Sequence, residues 1–359
     1  MKLGHLRPLY EHGGPYASVY LPTDRHSADA AKAISLHWRH ARIELSRLGV
    51  DDPTLDAIEE VVIDRRNAAP GRAVFAAGGE ILYTHDLPEP PQQSVRYGRL
   101  PDVLPLLERC SEEVPIVQVK ADRQGADIIV ANGGGEPSVN TVDGADWPIR
   151  KVKSGGWSHS HIQRNAEETW EQNARAVAAE VAREAREIDA ELILVGGDVR
   201  ARELVLESLP EPYVRRAVPA ERGVRAAGAD EAAWEEEVAA ALRAHDDERH
   251  DALIARFREA HGRGDAVAGL APVVEALRAG QVETLLVAPP VRGELCYGER
   301  PHEIALDEQG LADLGVHEPR CESAGSVLVR SAVATDAELE FTDALALQDG
   351  TGALLRYTP

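Results

Sequence analysis

The spacing of apolar positions divides the chain into three blocks. Tyr16-Ala17-Ser18-Val19-Tyr20-Leu21-Pro22 is a β-branched and aromatic run closed by proline, which predicts a strand. Apolar residues at helical spacing then predict helices over about Ala28 to Leu48 and Pro53 to Arg66. Arg72 to Tyr83 reads as two strands joined at Gly78-Gly79, Pro88, Pro90 and Pro91 mark an irregular loop, and Leu100 to Cys110 returns to helix. This first block, residues 1–113, is α+β.

The second block, residues 114–230, opens with strands over Pro115 to Lys120 and Ala126 to Ala131 that turn at Arg123-Gln124-Gly125. Ile162, Ala166, Trp170, Ala174, Val177, Val181 and Ile188 then recur at helical spacing, with charged residues on the other face, so a long amphipathic helix packs on a core. A buried strand over Glu191 to Asp198 and a helix over Arg200 to Leu209 complete an α/β layer. Gly133-Gly134-Gly135 has no helix directly after it, so it does not read as a phosphate cradle. Gly196-Gly197-Asp198 fits either a phosphate grip at a helix N-terminus or a tight turn. The third block, residues 231–359, predicts helices at Glu231 to Ala244, Asp247 to His261 and Ala266 to Ala279. Strands follow at Gln281 to Ala288 and Ala324 to Val329, with a strand, glycine turn and strand between Leu345 and Tyr357. The expected class is α/β and α+β in three domains.

Composition then narrows the function. The 359 residues carry a formal charge of −22, which argues against general nucleic-acid binding and confines any RNA contact to a local patch. Cys110, Cys296 and Cys321 form no close pair, so neither a zinc site nor a disulfide framework is expected, and a reduced cytoplasm fits. The start lacks a signal-peptide pattern and no apolar stretch is long enough for a bilayer span, so a cytoplasmic protein without a membrane partner is expected.

One stretch concentrates the local basic charge. Lysines occur only at positions 2, 32, 120, 151 and 153, and two of these stand beside Ser154-Gly155-Gly156-Trp157-Ser158-His159, with Arg164 following on the long helix. The paired glycines either give a loop its turn or let backbone approach a large partner, and Ser158 or Ser160 can cap the helix. A second basic group, His37, Arg39, His40 and Arg42, reads either as an RNA contact or as a solvated helix face paired to nearby acids. His159 and His161 alternate as metal ligands can, without a third ligand nearby. The run His245, Asp246, Asp247, Glu248, His250 and Asp251 reads as an acidic surface, and no metal or cofactor is expected. Nucleophile-elbow, P-loop and HExxH patterns do not occur.

Four places together resemble the archaeal and eukaryotic class-one release factors and Pelota, and within that superfamily the bacterial branch that includes the ribosome hibernation factor Balon. They are Ser18-Val19-Tyr20-Leu21-Pro22 with the helix around Trp38 to Arg42, Lys153-Ser154-Gly155-Gly156-Trp157-Ser158, Gly269 to Val287, and Gly350-Thr351-Gly352-Ala353-Leu354-Leu355-Arg356-Tyr357. The second sits where release factors carry Gly-Gly-Gln-Ser, whose glutamine helps to position water against the peptidyl-tRNA ester. Trp157 stands in that glutamine's place. An indole offers one donor and no acceptor, so Trp157 cannot take the glutamine's role, and no catalytic residue is expected. The family's stop-codon signature is also absent from Leu36 to Leu48.

The resemblance implies a translation factor that fills the vacant A site of the 70S ribosome and holds it inactive. The first domain would face 16S rRNA through His37, Arg39, His40 and Arg42. Lys151, Lys153, Ser154, Gly155, Gly156, Trp157, Ser158, His159 and Arg164 would face 23S rRNA at the peptidyl-transferase centre. The third domain would meet elongation factor Tu or another translational GTPase. The alternative it implies is a ribosome-rescue peptidyl-tRNA hydrolase.

Overall fold

The computed structural model describes residues 1–25, 29–64, 66, 69–110, 114–132, 137–143, 156–225 and 230–357, with backbone alone over 156–166. In the first segment, helix α1 (Arg7–Glu11) precedes strand β1 (Tyr16–Pro22), and helices α2 (Ala30–Leu48) and α3 (Asp52–Ile63) follow it. Strands β2 (Gly71–Ala77), β3 (Glu80–Leu87) and β4 (Ser94–Gly98) and the short helix α4 (Leu104–Leu107) complete it. The middle segment holds β5 (Ile116–Ala121), β6 (Gly125–Ala131), β7 (Ser138–Asp143), the long helix α5 (Gly156–Glu187), β8 (Leu192–Gly197), α6 (Val199–Ser208), α7 (Tyr213–Arg216) and β9 (Ala217–Pro219). The third begins with α8 (Glu231–Arg263), β10 (Ala266–Ala268), α9 (Leu270–Arg278), β11 (Val282–Val287), β12 (Glu294–Tyr297), β13 (Ile304–Ala305) and α10 (Glu308–Ala312). It closes with β14 (Arg320–Ser323), α11 (Ala324–Ala334), β15 (Glu338–Phe341) and β16 (Thr351–Leu355).

Two compact units result, Met1–Ser111 with Leu253–Pro359, and Glu112–Ala252. In the first unit an antiparallel sheet runs β3-β2-β1-β4. Gly78 and Gly79, at φ 58° and 83°, supply the two left-handed residues of the tight β2–β3 hairpin. One face of the sheet takes α2 and α3, through Ile34, Trp38, Ala41, Leu45, Leu55, Ile58 and Val62 against Ala17, Val19, Leu21, Val74 and Ala76. Leu45 is fully buried there, and its truncation to alanine would cost about 2–5 kcal/mol. The other face, with Tyr16, Tyr20 and Phe75, belongs to a core that also contains Val273, Leu277, Leu285, Val327 and Leu339 of the third segment. That segment adds a four-stranded sheet, β10-β16-β11-β15, and a three-stranded one, β13-β12-β14.

The second unit is built on a five-stranded sheet, β7-β6-β5-β8-β9, antiparallel from β7 to β5 and parallel from β5 to β9. Helix α5 covers it through Ala174, Val177, Ala178, Val181, Ala182 and Ala185.

Several expectations need correction. The two helices expected between Glu231 and His261 are one, α8, because Ala244-His245-Asp246 contains no residue that breaks a helix. Its first half contributes Trp234, Val238, Ala241 and Leu242 to one core and its second half Ile254, Phe257 and Ala260 to another. The expected join at 230/231 thus falls at the start of a continuous helix, within which the compact units divide at 252/253. Ala324 to Val329 is helix α11, not a strand. Its apolar run is buried all round, which removes the periodicity that tells the two apart, and Ser323 accepts a cap bond from the Ser326 N–H at 3.4 Å. Strands β4, β7, β9, β12, β13, β14 and β15 were not expected, and the helix expected over Ala266 to Ala279 starts only at Leu270 because Ala266–Ala268 pairs as β10 with β16. The helix expected over Leu100 to Cys110 shrinks to α4, and no strand forms over Leu345 to Gln348. Cys296 and Cys321, 25 positions apart, are disulfide-bonded between directly opposed residues of β12 and β14. Spacing along the chain does not reveal a pair that the ladder brings together. Among the described residues no helix is long and apolar enough to cross a membrane.

Candidate nucleic-acid interface

Helix α2 divides the first basic group in two. Arg42 turns sideways to α3, where its Nη2 donates to Asp56 Oδ1 and its Nη1 to Glu59 Oε2, both at 2.8 Å. The Asp56 hydrogen bond, followed by the nearby charges of Asp56 and Glu59, raises the guanidinium further above its usual range. His37 Nδ1 lies 2.8 Å from Gln93 Oε1. For these two residues the paired, structural reading is the one the fold realises. Arg39 and His40 are exposed, and neither makes an ion pair among the described residues.

Their neighbours matter more than their neighbours in sequence suggest. At about 100° per residue, Lys32, Leu36, Arg39, His40, Ile43 and Arg47 fall within a stripe about 100° wide. This stripe lies opposite the face formed by Ile34, Trp38, Ala41 and Leu45. All six residues are exposed, Leu36 at 45% and Ile43 at 46%, and no acid interrupts them. A chain with a charge of −22 therefore presents one helix face that is basic and aliphatic only. Long cationic side chains separated by apolar ones can contact a phosphate backbone and pack on its sugars. Sequence reading missed Lys32, Leu36, Ile43 and Arg47 because it gathered consecutive residues; counting the helical period would have found them.

The second basic group falls mostly beyond description. Lys151, Lys153, Ser154 and Gly155 lie outside the described residues. Gly156, Trp157, Ser158, His159 and Arg164 are described only as the helical backbone opening α5. Ser158 and Ser160 therefore stand inside the helix, so neither is the residue preceding it, and the expected cap is corrected. From Trp157 to Trp170 there are about 20 Å of helix axis, at 1.5 Å per residue.

At Trp170 the helix is clamped. The Arg123 guanidinium lies 4.6 Å from the Trp170 ring centroid, and Asn173 Nδ2 donates to the Arg123 carbonyl at 3.1 Å. Arg123 also pairs with Asp198 at 3.3 Å. Asp198 accepts from the Arg200 and Ala201 N–H groups at the start of α6, both at 3.2 Å. Burial alone would raise the Asp198 carboxyl, but these backbone donors and Arg123 together hold it below the usual carboxylate range. The preceding glycines form a turn and no phosphate cradle: the Gly197 N–H donates to the Arg222 carbonyl at 2.8 Å and the Asp198 N–H to the Ala121 carbonyl at 2.9 Å. Lys120 is likewise structural, buried with its Nζ 2.6 Å from Glu231 Oε2 and 5.4 Å from the Trp234 ring.

The side chains of His159 and His161 are not described, and His245 Nε2 lies 3.4 Å from Glu191 Oε2. Among the described residues no group of three or more His, Cys, Asp or Glu side chains could hold an ion.

The sequence profile of the bacterial archaeo-eukaryotic release factor family 2 matches residues 115–263. Two proteins of Mycobacterium tuberculosis, the uncharacterized proteins Rv2629 and MT2704, are each 33% identical over 368 aligned positions, covering 99% of this chain and 97% of theirs. Among solved structures, the archaeal termination factor aRF1 is 17% identical, covering 98% of this chain and 96% of its own, with a TM-score of 0.26. Saccharomyces cerevisiae Dom34 is 12% identical over 86% and 78%, with a TM-score of 0.43. A ribosome-bound archaeal Pelota with ABCE1 is 16% identical over 99% and 96%, also at 0.43. Over its whole length the chain belongs to one family with the two Mycobacterium tuberculosis proteins, and within it residues 115–263 match the bacterial archaeo-eukaryotic release factor family 2.

Proposed function

We propose that this chain is a non-catalytic translation factor of the cytoplasm that binds the vacant A site of the 70S ribosome and holds it inactive, as in hibernation under stress. The α2 stripe contacts 16S rRNA near the decoding centre, and the tip around Gly155-Gly156-Trp157 reaches 23S rRNA at the peptidyl-transferase centre. The third segment meets elongation factor Tu or another translational GTPase.

The observation that carries the non-hydrolytic reading is Trp157 in place of the release-factor glutamine. Positioning a water for attack is worth orders of magnitude in rate, and an indole with one donor and no acceptor cannot do it. Stacking on an exposed base suits it instead, at about 1–3 kcal/mol. The acidic balance suppresses loose binding to other RNA, while the basic stripe supplies the local attraction.

Sedimentation of the purified full chain with vacant 70S ribosomes, paired with a peptidyl-tRNA release assay, tests this. Co-sedimentation at physiological salt without release above background is expected. Robust release that disappears in Gly156→Ala would establish the rescue peptidyl-tRNA hydrolase instead, and absence from the 70S fraction would end the ribosomal reading.

A further inference from the structure

Cys296 and Cys321 face each other across the β12–β14 ladder, with Cα atoms 4.0 Å apart. Cys321 is exposed and Cys296 is 5% exposed. Strand β14 is the edge of its sheet, held by β12 alone. The loop that the bond closes carries β13 and α10; Tyr297 and Ile304 fix it in the main core of the unit, while Cys296, Ala305 and Leu311, with Val316 packed against them, form a small cluster of their own. Strand β14 itself, Arg320–Ser323, places no side chain other than the bonded Cys321 toward this cluster and none in the main core, which leaves the crosslink a large share of the work of holding the edge strand.

The next residue of β14 points the other way, as alternate strand residues do. Glu322 Oε1 accepts from the Arg99 N–H at 3.0 Å, and its Oε2 accepts from Arg96 Nη2 at 3.2 Å. Arg96 Nη1 donates to Ser323 Oγ at 3.2 Å. A Cβ at residue 98 would stand 3.1 Å from Glu322 Oε1, so the close approach depends on Gly98. One strand therefore carries a crosslink on one face and, on the other, a latch to the first segment.

We propose that Cys296 and Cys321 form a reversible thiol–disulfide site, and that their oxidation state sets how firmly Glu322 latches the first segment. A dithiol reductant attacks the exposed Cys321 Sγ, the S–S bond breaks, and Cys296 leaves as a thiolate that takes a proton. The reductant's second thiolate then displaces Cys321 from the mixed disulfide, so two thiols form here and one disulfide forms on the reductant. In the reverse direction the Cys321 thiolate attacks a peroxide oxygen, giving a sulfenic acid and hydroxide, which takes up the proton released by the thiol to become one water. Cys296 displaces the second water, so one peroxide is reduced as two thiols are oxidised.

The experiment uses the full chain treated with hydrogen peroxide or with dithiothreitol, then alkylated under denaturing conditions and weighed. One alkylated cysteine, Cys110, is expected after peroxide and three after dithiothreitol. Amide hydrogen exchange then reads the latch directly at Arg99: it should be several-fold faster in the reduced protein. Cys321→Ser and Cys296→Ser should each show the reduced protein's exchange rate at Arg99 under both treatments. Three alkylated cysteines after peroxide, or equal exchange at Arg99 in the two states, would overturn the proposal.

Discussion

The Arg123 guanidinium stacks over the Trp170 indole, 4.6 Å from the ring centroid, where the long helix α5 is fastened to the β5–β6 turn of its own unit. Asn173 and Asp198 hold the same arginine from two further sides. A clamp at the stem limits how far angular motion at the base is magnified along the helix toward Trp157. Arg123→Ala should lower unfolding free energy by about 1 kcal/mol, the sum expected of a half-exposed cation–π contact and a partly exposed ion pair. Trp170→Ala should cost more, because it also removes buried apolar area. A double-mutant cycle by urea unfolding should return a coupling of about 0.5–1 kcal/mol, and strict additivity would show that the stack contributes nothing.

The α2 stripe separates binding from stability. Arg39→Glu with Arg47→Glu should leave the unfolding free energy within about 0.5 kcal/mol of the parent, since both side chains are exposed. Ribosome affinity should fall most at low salt, and the slope of log affinity against log salt should decrease by about 1 per cation removed. Arg42→Ala should behave in the opposite way, losing up to about 1 kcal/mol of stability with its bonds to Asp56 and Glu59 while leaving the salt slope in place.

This contrast also shows what was legible beforehand. Strand β1, helices α2 and α3 and the Gly78-Gly79 hairpin could be read from local pattern because their apolar periodicity and turn residues agree. Strand β4 escaped notice because its half-buried Val95 and Tyr97 gain their meaning only by pairing with β1, after a proline-rich loop. Helix α11 was misread because a fully buried segment has no polar face to mark its period. At the site, residue type identified Arg42 as basic but could not show that Asp56 and Glu59, one helix later, already hold it. The Cys296–Cys321 bond belongs with these cases, since only the β12–β14 register brings the two together.

Trp157 gives the most direct test of the functional reading. Trp157→Ala should weaken ribosome occupancy by about 1–3 kcal/mol if the indole stacks on a base, roughly a 5- to 150-fold rise in the dissociation constant. Neither the parent chain nor the variant should release peptide from peptidyl-tRNA. Binding that is unchanged by the substitution would remove the stacking contact from the account, whatever the ribosome does with the rest of the chain.

Asp102 should give the protein a stability that falls with rising pH over part of the acid range. Burial raises this carboxyl above its ordinary 3.8, Arg96 at 3.8 Å opposes the rise, and the Glu322 charge adds to it. An acid whose affinity for protons is higher in the folded state binds more protons there. Stability from this group is therefore greatest below its unfolded value and is lost as pH climbs from 3.8 through the folded value. Asp51 contributes with the opposite sign. Its carboxylate accepts the Thr54 N–H at 2.9 Å as the cap of α3 and is held below 3.8, so its contribution is present above 3.8 and is lost as pH falls through the folded value. Asp102→Asn should therefore flatten the decline above pH 3.8 without touching the acid limb, while Asp51→Ala should cost about 1 kcal/mol at neutral pH and weaken the acid limb. Urea midpoints measured from pH 3 to pH 8 would separate the two, and an Asp102→Asn curve parallel to that of the parent would show that the half-buried carboxyl titrates normally.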